Sequence, residues 1–268
     1  MRVLVVTAVP AERDAVTRAF GEVSEVPGAR YGDVSEVPGT LHEDVSEMPG
    51  TQHRGVSEVH GARAHRVTVP GGSVLVDVLA GGAGPAAAAA ATAFGLAPQP
   101  YDLVVSAGIG GGFAPVAPVG SVVVASGIVA ADLGAETPEG FVPVTGLGFG
   151  RDRFTPPPAR VRDVAAATGA LTGEILTVST VTGSAARAAA LLAAHPRAAA
   201  EAMEGFGVAE AAGRAGVPVL EIRAVSNTVG PRDRDAWRIG DALAALTGAF
   251  GKLVPVLEGW THHDRHDS

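Results

Sequence analysis

The sequence predicts an α/β fold, a single-domain α/β/α sandwich around a central mixed, largely parallel sheet. Three observations predict it. Short runs rich in Val, Ile and Leu, at residues 3–6, 102–106 and 218–226, read as strands buried on both faces. Ala-rich stretches of helical length separate such runs, and strands alternating with helices place helices on both sides of one sheet. The 268 residues are enough for one sizeable core.

Residues 3–6 form the first strand. Pro10 then opens a helix in the turn where a missing N–H is tolerated, with Glu12 and Asp14 in the same turn, and the helix runs to about Phe20. Val-Ser-Glu next recurs at Val23, Val34, Val45 and Val56, a spacing of eleven. An eleven-residue period can wind helices right-handed. Here Pro27, Pro38 and Pro49, each followed by Gly, break any helix and mark turns. Residues 22–63 therefore read as a low-complexity flexible loop with short strand-like Val-Ser-Glu-Val pieces, inserted into one domain spanning residues 1–257. Residues 64–69 and 73–79 form a strand pair. Gly81, Gly82 and Gly84 lead into a helix ending near Ala97. The strand at 102–106 opens into a Gly-rich loop, Gly108-Ile109-Gly110-Gly111-Gly112. Strands follow at 121–126 and 128–131, then a loop-rich stretch at 133–158. The rest reads as a helix at 159–167, a strand at 174–181, a helix at 184–194, a helix at 201–212, the strand at 218–226 and an amphipathic helix at 235–257. The disordered tail, 258–268, carries His262, His263, Asp264, His266 and Asp267. These are metal-ligand types, but the terminal position makes them a solvated tail, and no metal is expected.

Composition excludes several function classes. A net charge of −8 disfavours nucleic acid, whose capture needs Lys and Arg on phosphates. Without cysteine there is no disulfide, thiolate catalysis or Cys-ligated metal. The first strand is too short for the apolar region of a signal peptide. Gly84, Pro85 and Gly95 interrupt the Ala-rich stretch 83–97, which cannot span a membrane. A soluble cytoplasmic protein is expected.

Gly82-Ala83-Gly84 with Ala87, and Asp102 further on, loosely matches a dinucleotide fingerprint. That fingerprint belongs after the first strand, and its acid should end a strand, whereas Asp102 begins one. No cofactor is expected. Both glycine clusters follow strands, where ligands bind in open α/β sheets; they serve either as anion nests or as tight turns. Glu12 sits where the helix dipole favours a carboxylate, which suits either a general base or an ordinary first-turn acid. Glu204 is the one carboxylate in Ala-Met-Glu-Gly-Phe-Gly, with small neighbours that admit a ligand, and a carboxylate can accept from both hydroxyls of a vicinal diol. Met203 beside it is core filler or ligand contact. Ser226 and Asn227 close an apolar strand, forming either an Asx turn or one wall of a pocket.

Taken in order, residues 3–12, 81–90, 102–126, 176–204 and 224–227 resemble the purine nucleoside phosphorylase/nucleosidase superfamily. The likeness extends to its methylthioadenosine/adenosylhomocysteine nucleosidases. It is closer to the futalosine hydrolases of menaquinone biosynthesis, through Ala-Asp-Leu-Gly-Ala-Glu-Thr-Pro-Glu-Gly-Phe (131–141) and Thr-Val-Ser-Thr-Val-Thr-Gly-Ser (177–184). The resemblance implies a nucleoside phosphorylase-like fold and a small-molecule purine nucleoside as partner. It further implies a homodimer or higher homo-oligomer in which residues 133–149 close the neighbour's pocket. By the same resemblance Glu12 orients and deprotonates water, Met203 and Glu204 grip the ribose, and Ser226 with Asn227 faces the purine. Ile109 and Gly110 lie beside the ribose, and Gly183 and Ser184 complete the substrate-binding set.

Three departures shape the expected chemistry. Asn227 stands where an Asp would protonate adenine; an amide cannot, but it can donate to the adjacent O6 and N7 acceptors of a 6-oxopurine. Ile109 replaces a hydroxyl residue and no Arg lies in either glycine cluster, so water rather than phosphate is the expected nucleophile. Ala202 replaces a second Glu, with Glu201 one position earlier. The expected activity is hydrolysis of the N-glycosidic bond of a 5′-modified 6-oxopurine nucleoside, futalosine giving hypoxanthine and dehypoxanthinyl futalosine. An adenine-directed nucleosidase, a phosphorylase and a non-catalytic nucleoside-binding protein remain alternatives.

Overall fold

The structure, a computed structural model, describes residues 1–20, 23–24, 57–59, 62–68 and 74–259. Most of the eleven-residue repeats and the His-rich end of the tail lie outside the described residues. In chain order the first elements are β1 (Arg2–Thr7), α1 (Pro10–Arg18), β2 (Val23–Ser24), β3 (Ser57–Val59), β4 (Ala62–Thr68), β5 (Leu75–Ala80) and α2 (Pro85–Leu96). Next come β6 (Leu103–Gly112), β7 (Val122–Ala130), β8 (Gly134–Thr137), β9 (Gly140–Pro143), β10 (Arg153–Phe154) and α3 (Pro158–Thr168). The chain continues through β11 (Leu171–Thr177), α4 (Ala185–Ala194), β12 (Ala198–Ala202), α5 (Gly205–Arg214), β13 (Val219–Thr228) and α6 (Ile239–Glu258).

The sheet is mixed and largely parallel, as the alternation of strands and helices predicts. Strands pair in parallel at β1–β5, β1–β6, β6–β13, β7–β11 and β11–β12. The period-2 alternation of a strand sorts the core into two layers. On β1, Val3 and Val5 meet Val16 and Phe20 near α1 and Leu246, Phe250 and Leu253 of α6. Leu4 and Val6 face the opposite way, toward Ala88 and Ala91 of α2 and Val208, Ala209 and Ala212 of α5. Helix α6 is long and apolar enough to cross a membrane by length and composition, yet Ala242, Leu246, Phe250, Leu253 and Leu257 are buried in the core. It is a core helix.

Several elements differ from the sequence expectation. Gly108–Gly112 is not a loop: β6 continues through it, pairing with β13 out to Thr228↔Gly112. Residues 201–212 are not one helix. Ala198–Ala202 is strand β12, held between β11 and β6 by Leu176↔Glu201 and Glu201↔Gly111, and tertiary pairing overrides the helical preference of alanine. The strands expected at 121–126 and 128–131 are one strand, and the loop-rich 133–158 contains the β8–β9 hairpin. The pairings β6–β13–β7–β11–β12–β6 close a ring of strands, which alternation alone does not reveal. At the margins of the repeat region, Val23–Ser24 and Ser57–Val59 pair antiparallel with β4.

Candidate active site

Because β6 runs on as Gly108-Ile109-Gly110-Gly111-Gly112, it carries almost no side chains where three neighbouring elements converge. A Cβ on Gly108 would stand 2.5 Å from Glu12 Oε1 and 2.7 Å from Arg223 Nη1. One on Gly110 would stand 2.6 Å from the Glu201 carbonyl oxygen. These glycines are thus required by close approach, and two charged side chains occupy the space beside Gly108.

Glu12, in the first turn of α1, is buried and accepts from Ala8 N at 2.9 Å, Val9 N at 3.3 Å and Ile109 N at 2.8 Å. The helix dipole predicts a lowered pKa; the structure gives the opposite. Burial raises the Glu12 carboxyl above its ordinary value, against the pull of Arg223 and the Ile109 and Ala8 N–H groups. A base of raised pKa takes a proton from water more readily.

Arg223 is fully buried on β13. Its Nη2 donates to Ser106 Oγ at 2.9 Å, Nε donates to Glu221 Oε1 at 3.0 Å, and Nη1 lies 3.1 Å from Glu204 Oε2. Burial pushes Glu221 up to about 7, with Arg223 opposing. Glu204, at the N-terminus of α5, also accepts from Gly84 N at 3.1 Å and Met203 N at 3.3 Å. Gly84 takes φ 93°, open to glycine, as it turns its N–H toward that carboxylate.

A cavity of about 300 Å³ opens beside this cluster, lined among others by Gly110, Gly111, Glu201, Met203, Asn227 and Trp237. Ser226 Oγ donates to Asn227 Oδ1 at 2.8 Å and contacts Gly110 O at 3.2 Å. The amide oxygen is thereby engaged at the hydroxyl, and the NH₂ donates one N–H to Thr228 O at 3.2 Å, which leaves its other N–H as a donor. Glu201 is buried, and its carboxylate accepts from Thr182 N at 2.8 Å and from Thr182 Oγ1. Arg232 lies 5.1 Å above the Trp237 ring, so the far wall is a stacked cation and indole.

Of the residues predicted from sequence, Gly110, Met203 and Asn227 line this cavity. Glu204 and Ser226 are buried beside it, next to the lining residues Met203 and Asn227. Neither Glu12 nor Ile109 lines it: Glu12 is held to the backbone N of Ile109, one residue before the lining Gly110, and Ile109 packs against the core. Gly183 and Ser184 are not brought in: both are exposed, and Ser184 Oγ caps α4 by accepting from Arg187 N at 3.2 Å. The cavity wall is made by the two residues just before them, Val181 and Thr182.

Residues 30–254 match the phosphorylase superfamily. The futalosine hydrolase of Streptomyces coelicolor is 58% identical over 270 residues, covering 99% of this chain and 100% of that one. That of Acidothermus cellulolyticus is 46% identical over 66% of this chain and 74% of its own. This chain belongs to the futalosine hydrolase family of the phosphorylase superfamily. Among solved structures, the 5′-methylthioadenosine/S-adenosylhomocysteine nucleosidase of Neisseria meningitidis, in complex with methylthio-immucillin-A, superposes with a TM-score of 0.73. It is 19% identical and covers 95% of this chain and 99% of that one. The futalosine hydrolase of Helicobacter pylori gives a TM-score of 0.71 at 16% identity, over 96% and 98% of the two chains.

Within this futalosine hydrolase-family fold, sequence reasoning missed two groups. One is Arg223 with Glu221, whose signal was present: two charges at i and i+2 interrupt an otherwise apolar strand and so share one face. Charges in a doubly covered strand must find partners, because burying one alone is expensive. The other is Thr182 with Glu201, for which β12 had first to be recognised as a strand.

Proposed function

We propose that this chain hydrolyses the N-glycosidic bond of futalosine in menaquinone biosynthesis, releasing hypoxanthine and dehypoxanthinyl futalosine. The observation that carries the reading is the pairing of Ser226 with Asn227: the hydroxyl engages the amide oxygen, and the NH₂, which gives one N–H to Thr228 O, keeps the other for the departing base. Hypoxanthine offers O6 and N7 as adjacent acceptors there, whereas adenine offers an amine against an amine. Glu12 takes a proton from water as its oxygen bonds to C1′ and the C1′–N9 bond breaks. The electrons of that bond pass to the purine, where Asn227 stabilises them through O6 and N7, and solvent returns a proton to the base. Glu204, fixed by Gly84 N and Arg223, accepts from the ribose hydroxyls, with Met203 against the sugar. The developing positive charge on the ribose then lies near buried carboxylates, as an oxocarbenium-like transition state requires.

Futalosine, inosine and methylthioadenosine, each incubated with the protein with and without phosphate, test the reading by chromatography of the released base. Hypoxanthine from futalosine at the same rate without phosphate supports it. Sugar 1-phosphate would make the chain a phosphorylase, and preferred release of adenine would make it an adenine nucleosidase.

The same reading makes the protein a cytoplasmic homodimer or higher homo-oligomer. Supporting the second point, Leu133, Phe141 and Phe149 are exposed apolar side chains on the segment 133–149. A second cavity of about 300 Å³, lined by Pro85, Ala89, Leu133 and Phe206 among others, adjoins it. Sedimentation of a single monomeric species would remove the oligomer.

A further inference from the structure

The outer wall of the cavity carries a positive charge to which the reaction gives no part. Residues 229–238 leave the end of β13 and return to it: Val229 N donates to Gly112 O at 2.9 Å, and Arg238 N donates to Ser226 O at 2.8 Å. The loop is thus fastened at both ends beside Asn227. Within it Gly230, Pro231, Arg232 and Trp237 line the cavity, and the one other charged side chain of the lining is Glu201. Arg232 makes no ion pair among the described residues, although Asp233 and Asp235 follow it closely in the chain. Its guanidinium rests instead over Trp237, 5.1 Å from the ring centroid. Arg232 is exposed and Trp237 half-buried, so the pair stands at the mouth of the cavity. A guanidinium held on an aromatic face keeps its N–H edges free, which suits bidentate recognition of a carboxylate.

We infer that Arg232 binds a carboxylate at the 5′ end of the nucleoside, and so selects substrates whose 5′ substituent is anionic. The inference rests on the proposed function above and names the chemistry of the 5′ group. With the base against Asn227 and the ribose against Met203 and Glu204, the wall left for that group is the stretch from Val229 to Arg232, with Trp237. It joins apolar side chains to one cation, which fits an apolar arm ending in an anion. Charge limits where that anion can lie. Glu12, Glu201 and Glu204 are buried around the reacting end, so a carboxylate is repelled near C1′ and attracted, among the lining side chains, at Arg232 alone. A 5′-phosphate fits less well, because it would sit one oxygen from C5′, nearer those acids, and a single guanidinium leaves its second charge uncompensated.

Steady-state hydrolysis by the full chain tests the assignment with four compounds. These are futalosine, inosine 5′-monophosphate, 5′-deoxy-5′-(4-carboxyphenylthio)inosine and its 4-carbamoyl counterpart. The last two have one shape and differ by one charge. For wild-type protein kcat/KM should be about tenfold higher for the acid than for the amide, the low end for a hydrogen bond to a charged group because Arg232 is exposed. The excess should shrink as salt is raised. Arg232→Met should bring the acid-to-amide ratio to within about twofold of one, through KM rather than kcat, because the contact lies away from the breaking bond. Arg232→Lys should keep part of the ratio, since it keeps the charge and loses the fork. A residue that merely braces the loop would weaken both probes together and leave the ratio unchanged. Equal wild-type values for the two probes, zero included, or a preference for the 5′-phosphate, overturn the role of Arg232, while hypoxanthine release from futalosine leaves the proposed function standing. Absence of hypoxanthine release from futalosine and from both probes overturns the two together.

Discussion

Glu12 and Arg223 face one another across Gly108: a methyl group there would stand 2.5 Å from Oε1 of the acid and 2.7 Å from Nη1 of the base. The two charges belong to elements 200 residues apart in the chain, and only the missing side chain on β6 lets them share one buried volume. Gly108→Ala should therefore push the carboxylate or the guanidinium off its position while adding only one methyl to the surrounding core. A loss of about 10²-fold in kcat is expected, in line with displacement of a positioned catalytic group by an ångström. Single-turnover hydrolysis of futalosine measures it, and an activity within twofold of wild type would show that the site absorbs the methyl.

Glu12→Gln keeps the shape and the hydrogen-bond acceptor toward Ile109 N but removes the base. The expected result is a fall of about 10²–10⁴ in kcat with KM nearly unchanged. The split between the two constants carries the test. A parallel rise in KM would make Glu12 a binding group, and near-normal turnover would exclude it as the base.

Arg223 is the counter-charge for Glu204 and Glu221 and lowers the pKa of Glu12. Removing it leaves buried carboxylates uncompensated, a change that typically costs about 3–5 kcal/mol. Arg223→Met should thus lower the unfolding midpoint in denaturant as well as activity. The second substitution Glu221→Gln in that background should recover part of the stability by removing one unpaired charge. Failure of the double variant to recover any would show that Glu221 is stabilised by something other than the guanidinium.

Glu221 also predicts a pH dependence of known sign. Its carboxyl moves from 4.5 in the unfolded chain to about 7 in the folded one, raised by burial against Arg223. Between those values the native state holds the extra proton, so its contribution to stability is full below about pH 4.5 and declines as the pH rises toward 7. Glu12, raised by burial as well, adds a contribution of the same sign. Relative to wild type, Glu221→Gln should therefore gain in melting temperature between pH 5 and pH 8. Thermal scans across that range decide it: a difference that does not change with pH would mean that Glu221 is ionised throughout.

What was legible in the sequence followed from how local each signal is. Pro10 and the acid two residues later mark a helix start without reference to the rest of the chain, and Val3–Val6 alternate between two cores as any central strand must. Asn227 could be singled out because it breaks an apolar run at a strand end. The Gly108–Gly112 run was harder: flexible residues read as a loop, yet pairing with β12 and β13 on either side holds them extended. Ala198–Ala202 looks helical for the same reason in reverse, since alanine prefers helix until a sheet edge supplies its hydrogen bonds. Once that strand was read as part of a helix, Glu201 was placed on the wrong element. Ser184 lies outside the cavity lining for a nearer cause: its hydroxyl accepts from the Arg187 N–H at the start of α4.

Base choice offers the sharpest mutational test, because Ser226 and Asn227 form one unit. The Ser226 hydroxyl donates to Asn227 Oδ1 at 2.8 Å and the NH₂ donates to Thr228 O at 3.2 Å, so the amide is held at both ends with one N–H left over. Asn227→Asp replaces that donor with an acceptor of the same shape, which repels O6 of hypoxanthine but accepts from the amine of adenine. The kcat/KM ratio for futalosine over methylthioadenosine should fall by about 10²-fold or more, since a site built around a hydrogen bond strongly rejects the mismatched partner. Ser226→Ala leaves the amide held only through its NH₂ at Thr228 O, so the amide reorients more readily and discrimination narrows from the other side. If Asn227→Asp loses activity on both substrates equally, the amide supports the wall without reading the base. If Ser226→Ala leaves discrimination at its wild-type value, the orientation of the amide is set by the ligand itself.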